Sequence, residues 1–216
     1  MARMNYDQQL KDLKDQMLIL GNMVEDVIRD TIRALIAQDT GKAREIAEGD
    51  EKVNAQVRKI EQDCYTILLR QQPVAKDLRA VSAALKMLTD MERIGDHGAD
   101  IAELTILMSN EAYSGEIRLI EDMAKETSIM LIEAVNAFSE ENDEKAEVVI
   151  ERDDVVDDLF LKVKAAIAEG IRMKGANAQQ ELDLLMVAKY LERIGDHATN
   201  IAEWVLFSVT GEFPGN

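Results

Sequence analysis

Glu92, Asp96 and Asp100 stand four residues apart, and the pattern returns as Glu192, Asp196 and Asn200. On a helix, residues 92, 96 and 100 fall within roughly 80° of one another, so each copy lays its oxygens along one stripe. Glu103 and Glu203 extend the two stripes. Like charges four apart on a helix cost about 0.2–0.5 kcal/mol per pair, so an arrangement kept twice calls for something positive beside it. Oxygen-rich ligation of this kind suits Mg, Ca or Mn, and iron and zinc also accept carboxylates.

The stripes lie inside a longer repeat. Glu92-Arg93-Ile94-Gly95-Asp96-His97 recurs without a change as Glu192-Arg193-Ile194-Gly195-Asp196-His197, and the similarity runs on to Glu103 and Glu203. This is duplication. The first two helical patterns repeat 103 residues later and the third 100 residues later, a difference that a shorter turn in the second copy explains.

The elements that must position the stripes are helices. Aromatics are 4% of the chain and there are 2 prolines in 216 residues, while Ala, Leu, Met, Glu and Lys abound. Residues Leu13, Met17, Leu20, Val24, Val27, Thr31 and Leu35 follow one another in steps of three and four, giving a first helix with a bundle-type seam that ends near Asp39. A second helix is predicted over 42–70, a third over 74–109 after Pro73, a fourth from about 120, a fifth over 143–173 and a sixth after the turn at Gly175 to Asn177. The fold expected is all-α: six long helices in two pseudo-symmetric three-helix bundles, up-down-up repeated, covering residues 1–112 and 113–216.

Folding the second helix back on the third about residue 72 brings Asp50 and Asn54 level with residues near 94 and 90. The same construction about residue 174 brings Asp153 and Asp157 level with residues near 195 and 191. Each half then gathers four carboxylates and one amide: Asp50, Asn54, Glu92, Asp96 and Asp100 in the first, Asp153, Asp157, Glu192, Asp196 and Asn200 in the second. These are the candidate metal ligands. The plainer alternative is a solvated margin whose acids pair with Arg93 and Arg193. Gly95 and Gly195 inside their helices are expected to mark a close approach by the neighbouring helix. His97 and His197, the only histidines, lie about 140° from the glutamates and are expected at the edge of the clusters rather than in them.

Charge narrows the partners. A formal charge of −17 opposes binding to nucleic acid or anionic lipid and favours a cation or a basic protein surface. No stretch is long and apolar enough for a membrane span, and the N-terminal residues contain no apolar targeting core, so a soluble, cytoplasmic protein is expected. The single cysteine, Cys64, reads as a small buried hydrophobe. No Gly-rich phosphate loop or G-x-S-x-G elbow is present. A di-metal oxidase would need Glu-x-x-His, whereas Glu92 and His97 are five apart, and a metal-dependent phosphohydrolase would lack histidines to complete its site. Metal-dependent enzymes of the carboxylate-bundle type therefore stand as the alternative to a non-enzymatic protein.

The paired Glu-Arg-Ile-Gly-Asp motifs, the Asp50-x-x-x-Asn54 and Asp153-x-x-x-Asp157 segments one helix earlier, and Gln72-Pro73 followed by Asp77-Leu78-Arg79 resemble the PhoU family of bacterial regulators of phosphate uptake. The resemblance spans essentially the whole chain. It implies two three-helix bundles with multinuclear iron or zinc sites on Asp50, Glu92, Asp96 and Asp100 and on Asp153, Asp157, Glu192 and Asp196. Asn54 and Asn200 depart from it, as amides where the other half has carboxylates. It further implies negative control of the high-affinity phosphate ABC transporter and of the phosphate-starvation response, through the transporter ATPase subunit and a sensor histidine kinase. A homodimer is expected on the same ground.

Overall fold

The computed structural model describes residues 2–49, 51–109, 113, 117–172 and 177–212, with side chains from residue 6 onward. Seven helices are present among them: α1 (Ala2–Ala37), α2 (Thr40–Ala47), α3 (Glu51–Gln71), α4 (Ala75–Met108), α5 (Ile117–Glu140), α6 (Asp143–Arg172) and α7 (Ala178–Thr210). Six are long and α2 is a short piece of eight residues. The all-α expectation holds. The boundary expected between residues 112 and 113 falls in a connection of which only residues 109 and 113 are described, and most of the turn expected at 175–177 also lies outside the described residues.

The duplication is visible bond by bond in the first turn of each half. Gln38 and Glu141 both take positive φ, +52° and +55°. The next residue in each case, Asp39 or Asn142, sends its N–H back to Ala34 or Ala137 at 2.9 Å. Its side-chain oxygen then accepts from Lys42 N at 3.0 Å or Lys145 N at 2.9 Å, capping the helix that follows. Sequence and backbone chemistry repeat together.

One helix expected to be continuous is two. The 42–70 pattern is interrupted after Ala47, where Gly49 sits at φ +86°, a left-handed conformation that ends a helix at little cost only for glycine. The matching position in the second half is Arg152, and α6 runs through it unbroken, its guanidinium held by Glu126 at 2.8 Å.

The core is shared between the halves. α4 packs along α7, and α1 lies on α5, so the seam of α1 (Leu13, Met17, Leu20, Val24, Leu35) is covered within the chain. Cys64 is buried as expected, and burial pushes its thiol up to about 12. α7 is capped at its start by Asn177 and closes at Gly211 with φ +87°. Near that end Arg79 of α4 donates to the carbonyls of Ser208 and Val209, at 3.3 and 3.4 Å. No helix among the described residues is long and apolar enough to cross a membrane.

Candidate acidic sites

In the first half, Asn54 of α3 and Glu92 and Asp96 of α4 face a common cleft of about 440 Å3. All three side chains are exposed. The other walls come from α1, through Asp26 and Asp30, and from α2, through Lys42 and Glu45. Asp50 lies outside the described residues. α2 reaches this place because small residues let it settle on its neighbours: Ala43 is buried against Ala34 of α1 and Ala102 of α4. Among the described residues a Cβ built at Gly95 meets nothing within 4 Å.

In the second half the expected approach is made. A Cβ at Gly195 would come within 3.2 Å of Asp153 Oδ1 and 3.3 Å of Val156 Cγ1, so glycine is what allows α6 to lie so close. Asp153 is level with Gly195, as the hairpin construction requires. Burial, followed by the charges of Asp196, Asp157 and Glu192, raises the Asp153 carboxyl to about 6, while the Thr199 hydroxyl works the other way. Burial and then Glu192 also raise Asp196, with Lys189 opposing them. Four acids are thus close enough to repel one another. Glu192 is partly neutralised by its ion pair with Lys189.

Asp100 and Asn200 also make contacts near the histidines. At the crossing of α4 and α7 the His97 and His197 rings lie 5.6 Å apart, centroid to centroid. His97 Nδ1 is 3.3 Å from Asp100 Oδ2, and His197 Nδ1 is 2.9 Å from Asp90 Oδ1. Asn200 donates to the same Asp90 oxygen at 3.2 Å. Tyr190, which occupies the repeat position of Asp90, stacks obliquely on His97 at 5.4 Å. The histidines sit where the halves meet, and burial holds His97 below the usual imidazole range. Asp90 escapes a reading by repeats because its counterpart is a tyrosine.

A cation's fit can be judged from these arrangements. Among the described residues no three His, Cys, Asp or Glu side chains are placed to hold a metal ion. The donor chemistry nevertheless suits one: Asp153, Asp157, Glu192 and Asp196 are oxygen donors whose mutual repulsion a cation would relieve.

The described residues form a duplicated bundle of helices that carries one copy of the acidic motif on α4 and the other on α7. The PhoU domain matches this chain twice, over residues 17–105 and 120–205, and the chain belongs to the PhoU family. It is 33% identical over 213 residues to the phosphate-specific transport system accessory protein PhoU homolog of Clostridium acetobutylicum, covering 98% of this chain and 97% of that one. The homolog of Pseudomonas aeruginosa is 34% identical over 211 residues, 95% of this chain and 86% of the relative. Crystal structures of PhoU from Pseudomonas aeruginosa and of the phosphate transport system regulatory protein PhoU from Streptococcus pneumoniae superpose with TM-scores of 0.85 and 0.87. Their identities are 33% and 28%, with 96% and 98% of this chain and all of each solved chain covered.

Proposed function

We propose that this chain is a cytoplasmic regulator of phosphate uptake that restrains the high-affinity phosphate ABC transporter and phosphate-starvation signalling. It works by contact with the transporter ATPase subunit and a sensor histidine kinase, as a homodimer and without catalysis of its own. The observation that carries this reading is similarity along nearly the whole chain to proteins named as accessory to phosphate-specific transport. The excess of carboxylates supports docking to basic protein surfaces over binding to nucleic acid. The histidines support a non-enzymatic role, since both are engaged at the α4–α7 crossing and neither is set to complete a hydrolytic site.

The acidic sites are part of the proposal: Asp153, Asp157, Glu192 and Asp196, with Asn200 beyond them, and Asp50, Asn54, Glu92, Asp96 and Asp100 take up iron or zinc as a structural or sensing element. When bound, the metal would supply positive charge; the chain's own acids hold it and set its distance from the histidine pair.

The test is genetic. In a bacterial host lacking its own PhoU protein, a phosphate-starvation reporter is on in phosphate-rich medium, and this chain should turn it off. A reporter that stays on at normal expression would refute the reading. Metal content is measured separately by mass spectrometry on untagged protein beside the Asp96→Ala/Asp196→Ala variant, where near-stoichiometric iron or zinc should vanish. Metal-dependent turnover of a phosphoester, lost in Asp96→Ala, would overturn the assignment as a non-enzyme.

A further inference from the structure

The second acidic cluster already holds a positive charge of its own. Lys189, three residues before Glu192 on α7, lays its ammonium against that carboxylate, 2.5 Å from Oε1 and in contact with Oε2 as well. The same ammonium lies 5.5 Å from the centre of the Phe160 ring on α6, so groups on two helices fix its place. Its charge also reaches Asp196, where it opposes the repulsion from Glu192. Glu192 is the more enclosed partner, its side chain 15% exposed against 40% for Lys189. The repeat does not carry this lysine twice, because the residue three before Glu92 is Thr89.

A metal ion and this ammonium compete for the same oxygens. Carboxylates hold zinc at about 2.0–2.2 Å, so an ion on Glu192 Oε1 would stand within roughly 5 Å of Nζ, where two cations repel strongly. Lys189 is also tethered, which keeps its charge at the site at a local concentration that dissolved monovalent ions do not match. Its flexible stem and partial exposure give it a way out to solvent.

We propose that Lys189 is the resident counter-ion of the second acidic site, which a metal must displace from Glu192, and that it thereby sets the free metal concentration at which this site fills. The inference rests on the reading of the acidic clusters as metal sites. It gives filling a visible consequence: the loaded site releases a lysine that the empty site holds.

The test is a zinc titration of the full chain against a chromogenic chelator, in an Asp96→Ala background so that the second site reports. Lys189→Met keeps the apolar stem without the charge and should bind zinc about tenfold tighter or more. Lys189→Arg, which keeps the charge, should bind no tighter than the background. Arg193→Met removes a neighbouring charge that acts on His97 and should gain far less than Lys189→Met. Circular dichroism checks that each variant keeps its helices. Acetic anhydride labelling, read by peptide mass spectrometry, follows the lysine directly: saturating zinc should raise acetylation of Lys189 relative to Lys164. Zinc taken up by Lys189→Met alone would be the expected result at its limit. Equal affinity in Lys189→Met and the background, an equal gain in Arg193→Met, or acetylation indifferent to zinc would overturn the proposal and leave the metal reading in place. Absence of zinc from every variant would overturn both.

Discussion

Two copies of Glu-Arg-Ile-Gly-Asp-His carry the same letters, yet among the described residues only the second has a neighbour pressed against its glycine. At Gly195 the absent side chain is a packing requirement, filled by Asp153 and Val156 of an unbroken α6. At Gly95 it meets none of the described residues within 4 Å. The difference originates elsewhere, at Gly49 against Arg152, where one backbone leaves the helical path and the other stays on it. An identical motif therefore does not define an identical site; the element packed on it does.

The comparison can be broken at its strongest point by Gly195→Leu. Overpacking the α6–α7 contact should cost about 1–3 kcal/mol. In thermal melts that is a fall of roughly 2–4 °C per kcal/mol for a chain of this size. A melt unchanged from the parent would mean that α6 does not lie this close.

Gly49→Ala probes the break. A side chain in the left-handed region costs about 1–2 kcal/mol, visible as a lower urea midpoint, and Arg152→Ala in the matching place should change stability by about 1 kcal/mol at most. If the two variants behave alike, the halves do not differ in the way described.

Asp153→Asn sharpens the electrostatic side. The native carboxyl holds its proton up to about 6 against 3.8 unfolded, so its contribution is fully present below about pH 4 and is lost as pH rises through about 6. In metal-free protein the variant should be more stable than the parent at pH 8, with the advantage shrinking toward pH 4. An advantage independent of pH would remove the buried-acid account. The smallest effect is expected of Gly95→Ala, which should add roughly 0.5–1 kcal/mol because the added methyl meets nothing and helps the helix.

The helices, the repeat and the level of Asp153 against Gly195 were all legible in the sequence, because helical phase and rise per residue are constants that convert spacing into position. Asp39 was equally plain as the residue near which the first helix ends. The break at Gly49 was not, since one glycine in a helical pattern can either be tolerated or end the helix, and the choice is made by what the rest of the chain packs there. The histidine pair lay beyond reach for another reason: phase places His97 and His197 off the acidic stripe, but only the crossing of α4 and α7 brings them together. Asn200 meets Asp90 through that same crossing, a long-range contact with no local signature, whereas Asp100 meets His97 on its own helix.

The packing of α7 on α4 also bears on the order in which the molecule can be completed. α7 is synthesised about a hundred residues after α4, and His97, Asp90 and Arg79 on α4 all wait for partners on it. At ~5–20 residues per second, ribosomal synthesis leaves that face of α4 uncovered for on the order of ten seconds. The first repeat is thus a waiting surface during translation, and the second repeat is the first partner it meets.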